Sequence, residues 1–151
     1  IDSRSNSPAD VLAEAQFIRG LSMWVILDLY GQVPFREVDE GPEINPRVLS
    51  RTEAMDFVIS DLEAAITGLP SVAAPSGDDN KRASKASARF LLARILLNKH
   101  IYNGSGTPES ADMARVISLV DEILLIPKPY GGWKPQWVTV FSTDYTTTLP
   151  S

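Results

Sequence analysis

The chain has 151 residues, 44% of them hydrophobic and 22% charged, with no cysteine, one histidine and a net charge of −5. A single domain of this size buries roughly two-thirds of the surface its unfolded chain exposes, so it needs no disulfide or structural metal, and a thiolate zinc site is excluded. Negative charge repels phosphate backbones and argues against a nucleic-acid partner.

The 11 prolines leave four long uninterrupted segments, each with helical periodicity. The first, about 9–30, follows Ser7-Pro8 and stops at Gly31, which suits a left-handed helix cap. Val11, Ala15, Ile18, Leu21, Val25 and Leu29 mark its expected apolar stripe. Its stretch Met23-Trp24-Val25-Ile26-Leu27 is apolar all round, so Trp24 is expected in the core. The second, about 51–67, opens on the capping box Ser50-Arg51-Thr52-Glu53 and puts Met55, Val58, Ile59, Leu62 and Ile66 on one face. The third, about 85–102, runs through Ala88, Leu91, Leu92, Ile95 and Leu96 and ends at Asn103-Gly104. The fourth, about 110–126, carries Met113, Val116, Ile117, Val120, Ile123 and Leu124, and Pro127 stops it.

Residues 31–50 form an extended connection rich in proline and acidic residues, and 69–83 a polar loop. No run approaches the roughly 18 apolar residues of a membrane span. The expected class is all-α: two helical hairpins stacked as tetratricopeptide-like repeats, without that repeat's strict consensus, and then an irregular aromatic-rich C-terminal segment. A single helical domain over residues 1–151 follows. The small residues Ala15, Gly20, Ala65, Ala88 and Ala93 suit close helix approach.

Few residues suggest catalysis. His100, beside Lys99 near a helix end, fits the carbonyl end of that helix better than an active site. Glu37, Asp39 and Glu40 could pair as a glycosidase requires, and Asp78-Asp79-Asn80 offers oxygens to calcium, yet neither has the spacing of a known metal loop. Both read as solvated acidic loops. No catalytic, cofactor or metal residue is assigned. The aromatics are more informative, because Tyr130, Trp133, Trp137, Phe141 and Tyr145 crowd the C-terminal end. A sugar packs its C–H face on an aromatic ring, which makes Trp133, Trp137 and Tyr130 candidate ligand contacts. The other reading has Trp137 and Phe141 covering the ends of the last two helices as core.

Three strings, in order, carry a resemblance. The first is Ala13-Glu14-Ala15-Gln16-Phe17-Ile18-Arg19-Gly20-Leu21, followed by Leu29-Tyr30-Gly31-Gln32-Val33-Pro34-Phe35. The second is Asp61-Leu62-Glu63-Ala64-Ala65 with its closing Leu69-Pro70. The third is Arg82-Ala83-Ser84-Lys85-Ala86-Ser87-Ala88, then Leu91-Leu92-Ala93-Arg94. Together they resemble the SusD/RagB family of nutrient-binding outer-membrane lipoproteins, over roughly residues 9–145, with Gly20 where the family usually has alanine. The resemblance implies a non-catalytic binder of oligosaccharide or another nutrient on the cell-surface side of the outer membrane. It also implies a SusC-like TonB-dependent transporter as partner, and a lipid anchor outside this segment as the sole link to the membrane. Family members are several times longer, so the chain is expected to be the helical part of a longer protein. The alternative is a helical-repeat scaffold that clamps peptide tails with Arg82, Lys85, Arg89 and Arg94 in a concave groove.

Overall fold

The computed structural model describes residues 9–69 and 82–125, so the Ser7-Pro8 and Pro127 signals lie outside the described residues, while Gly31 and the Ser50 box act as expected. Helix α1 (Ala9–Tyr30) ends where Gly31, at φ 71°, donates its N–H to the Leu27 carbonyl at 2.8 Å. Helix α2 (Arg51–Gly68) begins with the reciprocal capping box of Ser50 and Glu53. Helix α3 (Lys85–Tyr102) begins with a second box that the sequence hides, since Ser87 takes the place of the usual glutamate and accepts the Ser84 N–H at 2.9 Å. Helix α4 (Ser110–Leu124) follows after a short turn.

The class is all-α, as expected, with one addition. Val33–Phe35 (β1) and Arg47–Leu49 (β2) pair antiparallel in the connection between α1 and α2, with Val33 opposite Leu49 and Phe35 opposite Arg47. Val33, Phe35 and Leu49 point inward, and Phe35 meets Phe57 of α2 edge-on at 4.9 Å between centroids. Two strands of three residues each are too short to show alternation, and Pro34 argued against a strand. A ribbon that is all edge tolerates it, because no interior ladder bond is lost.

Helix α1 packs against α2, α2 against α3, and α3 against α4. Pairs between α1 and the α3 side rise together along both: Glu14 with Arg82, Trp24 with Arg94, Asp28 with Tyr102. The first and third helices therefore run side by side in the same direction. That is the geometry of two stacked helical hairpins.

The core corrects the expected face of α1. Val11, Ile18, Val25 and Leu29 lie exposed, Ile18 at 58% and Leu29 at 68%, while Ala13, Gly20, Met23 and Leu27 are buried. Trp24 is half-buried rather than central, with the Arg94 guanidinium 5.0 Å over its ring. The physical reason is size. A glycine at 20 and an alanine at 13 let α2 approach on that side, and α1 is apolar enough all round to bury either face. Gly68 completes the contact, since a Cβ there would stand 2.7 Å from the Ala13 Cβ and 3.3 Å from the Ala9 carbonyl oxygen. Ala13, Ala65, Leu69 and Ala88 cluster at this seam; Ala65 and Ala88 were expected there, while Ala13 takes the place expected of the half-buried Ala15. On α4 only Leu119 is fully buried, and Ile117, Val120 and Leu124 face outward.

Ion pairs fasten the helices across these seams. Arg19 grips Asp61 through Nε and Nη2, both at 2.7 Å, and lies 4.7 Å over the Phe57 ring. Asp61 is the one buried charged side chain among the described residues, and its hydrogen bond holds the Arg19 guanidinium above its usual pKa despite partial desolvation. Arg82 holds Glu14 at 2.8 and 2.7 Å, Arg115 holds Glu63 at 3.1 and 2.8 Å, and Arg89 holds Glu122 at 2.7 Å.

Two measurements check this packing. Gly68→Ala forces the seam open and is expected to lower unfolding stability by about 1–3 kcal/mol. Gly20→Ala meets Leu62 only at 3.4 Å, so it should be neutral or stabilising by up to about 1 kcal/mol through helix propensity. Denaturant titration of both variants compares them, and equal losses would contradict the seam. The second concerns acid. The Arg82 hydrogen bond holds the Glu14 carboxyl below the usual range, outweighing its slight desolvation, and the Ser50 hydroxyl and N–H do the same for Glu53. A lowered folded pKa stabilises above the ordinary glutamate value of about 4.3 and is lost as pH falls through the folded value. Melting temperature should therefore drop below about pH 4.3, and Glu14→Gln should flatten that drop.

Candidate functional site

Trp133, Trp137 and Tyr130, with Phe141 and Tyr145, lie outside the described residues, as does Asp78-Asp79-Asn80. The other sequence candidates fall into structural roles. Glu37 pairs with Arg47 at 3.6 Å, and the Glu40 carboxylate accepts the Glu37 N–H at 2.9 Å, so these two acidic side chains stitch the turn beyond β1. His100 is half-buried, and its carbonyl accepts the Ser105 N–H at 3.1 Å in the turn after α3. No group of three or more metal-ligating side chains converges among the described residues. No helix among them is long and apolar enough to cross a membrane.

The four expected clamp residues do not form a free clamp. Arg82, just before α3, is committed to Glu14 and lies 3.7 Å from Asp10, Arg89 is mostly buried against Glu122, and Arg94 is stacked on Trp24. The Arg89 charge joins α3 to α4.

The structure instead forms a cleft that the sequence did not single out. Helices α1 and α3 end at the same level, and the first residue of α2 comes up beside them. Leu27, Asp28, Arg51, Asn98, Ile101 and Tyr102 line a cleft of about 220 Å³ there. The chain reaches this arrangement through Gly31. Its positive φ turns the backbone sharply after α1, and the absent Cβ leaves room for the Arg51 guanidinium to lie against it.

The polar groups of the cleft are distinct in their state of use. The Tyr102 hydroxyl donates to Asp28 Oδ1. Burial first, and the Asp28 carboxylate second, push the Tyr102 phenol above its usual pKa, so it stays a donor. Asn98 gives one amide hydrogen to the Arg94 carbonyl at 2.9 Å and keeps its Oδ1 open. Arg51 makes no hydrogen bond or ion pair among the described residues. Leu27 supplies a buried floor and Ile101 an exposed wall. Spacing could have pointed to this site only in part: Asn98 and Tyr102 are four apart on one helix, but Arg51 and Asp28 join them through the fold alone.

A second surface feature runs along the same helix pair. Val11, Ile18, Val25 and Leu29 fall on one stripe of α1, and Phe90, Leu97 and Ile101 on one stripe of α3. These seven large apolar side chains are exposed.

No family model matches the chain. Among curated proteins, a SusD-like protein of Formosa agariphila is 41% identical over 90 residues, which is 57% of this chain. A SusD-like protein of Bacteroides ovatus is 30% identical over 104 residues, 68% of the chain. The starch-binding protein SusD of Bacteroides thetaiotaomicron is 34% identical over 93 residues, 61% of the chain. The chain spans only 16–18% of the length of these relatives. Among solved structures, a SusD-like carbohydrate-binding protein from Bacteroides fragilis aligns with a TM-score of 0.62 at 22% identity, over 79% of this chain and 22% of that one. A laminarin-binding SusD-like protein aligns at 0.59 and 22% identity, over 85% of this chain and 27% of its own. At these identities the structures speak for the fold.

Proposed function

Because the chain belongs to the SusD/RagB family, we propose that it serves non-catalytic capture of oligosaccharide at the bacterial outer surface, for delivery to a SusC-like TonB-dependent transporter. The observation that carries this reading is the match of sequence and fold together: relatives 30–41% identical and solved SusD-like structures cover the same helical unit. Two of those proteins are named for the glucans they bind, starch and laminarin. The helices themselves supply rigidity, and the ion pairs across the seams hold the stack. The exposed Val11, Ile18 and Val25 of α1 and Phe90 and Leu97 of α3 support a unit that works packed against further protein. Attachment through a lipid anchor outside this segment completes the proposal.

Trp133, Trp137 and Tyr130 are the ligand contacts we propose, on the chemistry of aromatic rings with sugar C–H faces. The rival peptide-tail scaffold finds little support, because Arg82, Arg89 and Arg94, three of its four expected cations, are already engaged.

Titration calorimetry on the intact protein against a panel of oligosaccharides tests the reading. Binding to at least one neutral glycan is expected, and Trp133→Ala should weaken it about tenfold, as loss of one stacking contact would. Absence of binding to every glycan, with tight binding of carboxylate-ended peptides, would sink it.

A further inference from the structure

We propose that the cleft between Asp28, Arg51, Asn98 and Tyr102 is a binding site for a single neutral sugar residue. The inference rests on the saccharide-binding reading and names a place for it that neither the relatives nor the aromatic signature supplies.

Charge decides the ligand class. The cleft presents an unpaired cation, Arg51, and a carboxylate with one oxygen free among the described residues, Asp28 Oδ2. An anionic ligand would be drawn to the first and repelled by the second, and a cationic ligand the reverse. An apolar ligand would desolvate four polar side chains and pair none of them, at a cost for each. A neutral molecule dense in hydroxyls satisfies both ends, because each hydroxyl donates one hydrogen bond and accepts two. Its hydroxyls can donate to Asp28 Oδ2 and to the open Asn98 Oδ1, and can accept from the Arg51 fork and the second Asn98 amide hydrogen.

Shape sets the size. About 220 Å³ falls short of the roughly 300–1,000 Å³ that enclose drug-sized ligands, so the cleft suits one ring rather than a chain of them. The exposed Ile101 wall, above the buried Leu27, offers apolar surface to the C–H face of such a ring. Three of the polar groups are also held in advance. Asn98 is tied to the Arg94 carbonyl and Asp28 to Tyr102, so little of their side-chain freedom is lost on binding, and Arg51 alone has to be ordered.

The test uses the intact protein, with Asn98→Ala and Asp28→Asn as variants. Both positions tolerate change: alanine favours the helix, and asparagine still accepts the Tyr102 hydroxyl while removing a negative charge from a helix C-terminus. Circular dichroism melting confirms that each variant is folded. Calorimetry with neutral monosaccharides, and hydrogen exchange in their presence, then read the site. The expected result is slowed exchange at residues 27–28 and 98–102, with affinity weakened about fivefold or more in each variant. A neutral saccharide that binds without protecting these residues, at unchanged affinity in both variants, overturns the cleft assignment while leaving the saccharide-binding reading intact. No neutral saccharide binding by the wild-type protein overturns both.

Discussion

Two helices can only share a seam as narrow as their side chains allow, and in this chain the limit is set where Gly68 meets Ala13. Everything nearby depends on that approach. It brings Gly20 against Leu62, places Arg19 within reach of Asp61, and lets Ala65 and Ala88 close the junction where α2 leans on both α1 and α3. The Arg19–Asp61 pair illustrates the dependence. A carboxylate so deeply buried is tolerable only because a guanidinium reaches it with two parallel hydrogen bonds, and the guanidinium arrives only if the backbones lie close. Large residues at the seam would leave Asp61 buried without its counter-charge.

Helix boundaries were legible from proline, glycine and capping residues, because each acts through local geometry that needs no partner. The face of α1 was not. A helix with apolar residues on nearly every side offers several stripes, and the one that looked best by periodicity, Val11 through Leu29, is the one left outside. Bulk favoured that stripe, whereas packing favoured the side with a glycine and an alanine. The same error appears on α4, where Leu119 carries the burial and the more conspicuous Ile117 and Leu124 do not. Hydrophobicity says that a side chain gains from leaving water, but only the neighbouring helix decides which one does.

The candidate chemistry divides along a similar line. Charged residues on α3 looked like a surface feature because a helix drawn alone has one solvent face. In the stack, Arg89 is turned onto Glu122 of α4, and Arg94, still exposed, lies over the Trp24 ring of α1. Conversely, the cleft at the ends of α1 and α3 gathers residues from three separate segments, none notable in isolation. Arg51 in particular reads as one member of a capping box, and its side chain reaches the cleft only because Gly31 turns the chain beneath it. The proposed aromatic contacts between 130 and 145 rest on composition alone and lie outside the described residues.

The joint between the two hairpins has its two ends pinned independently. Leu69 is sunk in the small-residue cluster, and Arg82 is tied to Glu14 on a different helix. One end is thus held by burial and the other by charge. Salt should loosen the two unequally, since screening weakens the half-exposed Arg82–Glu14 pair and leaves the burial of Leu69 untouched.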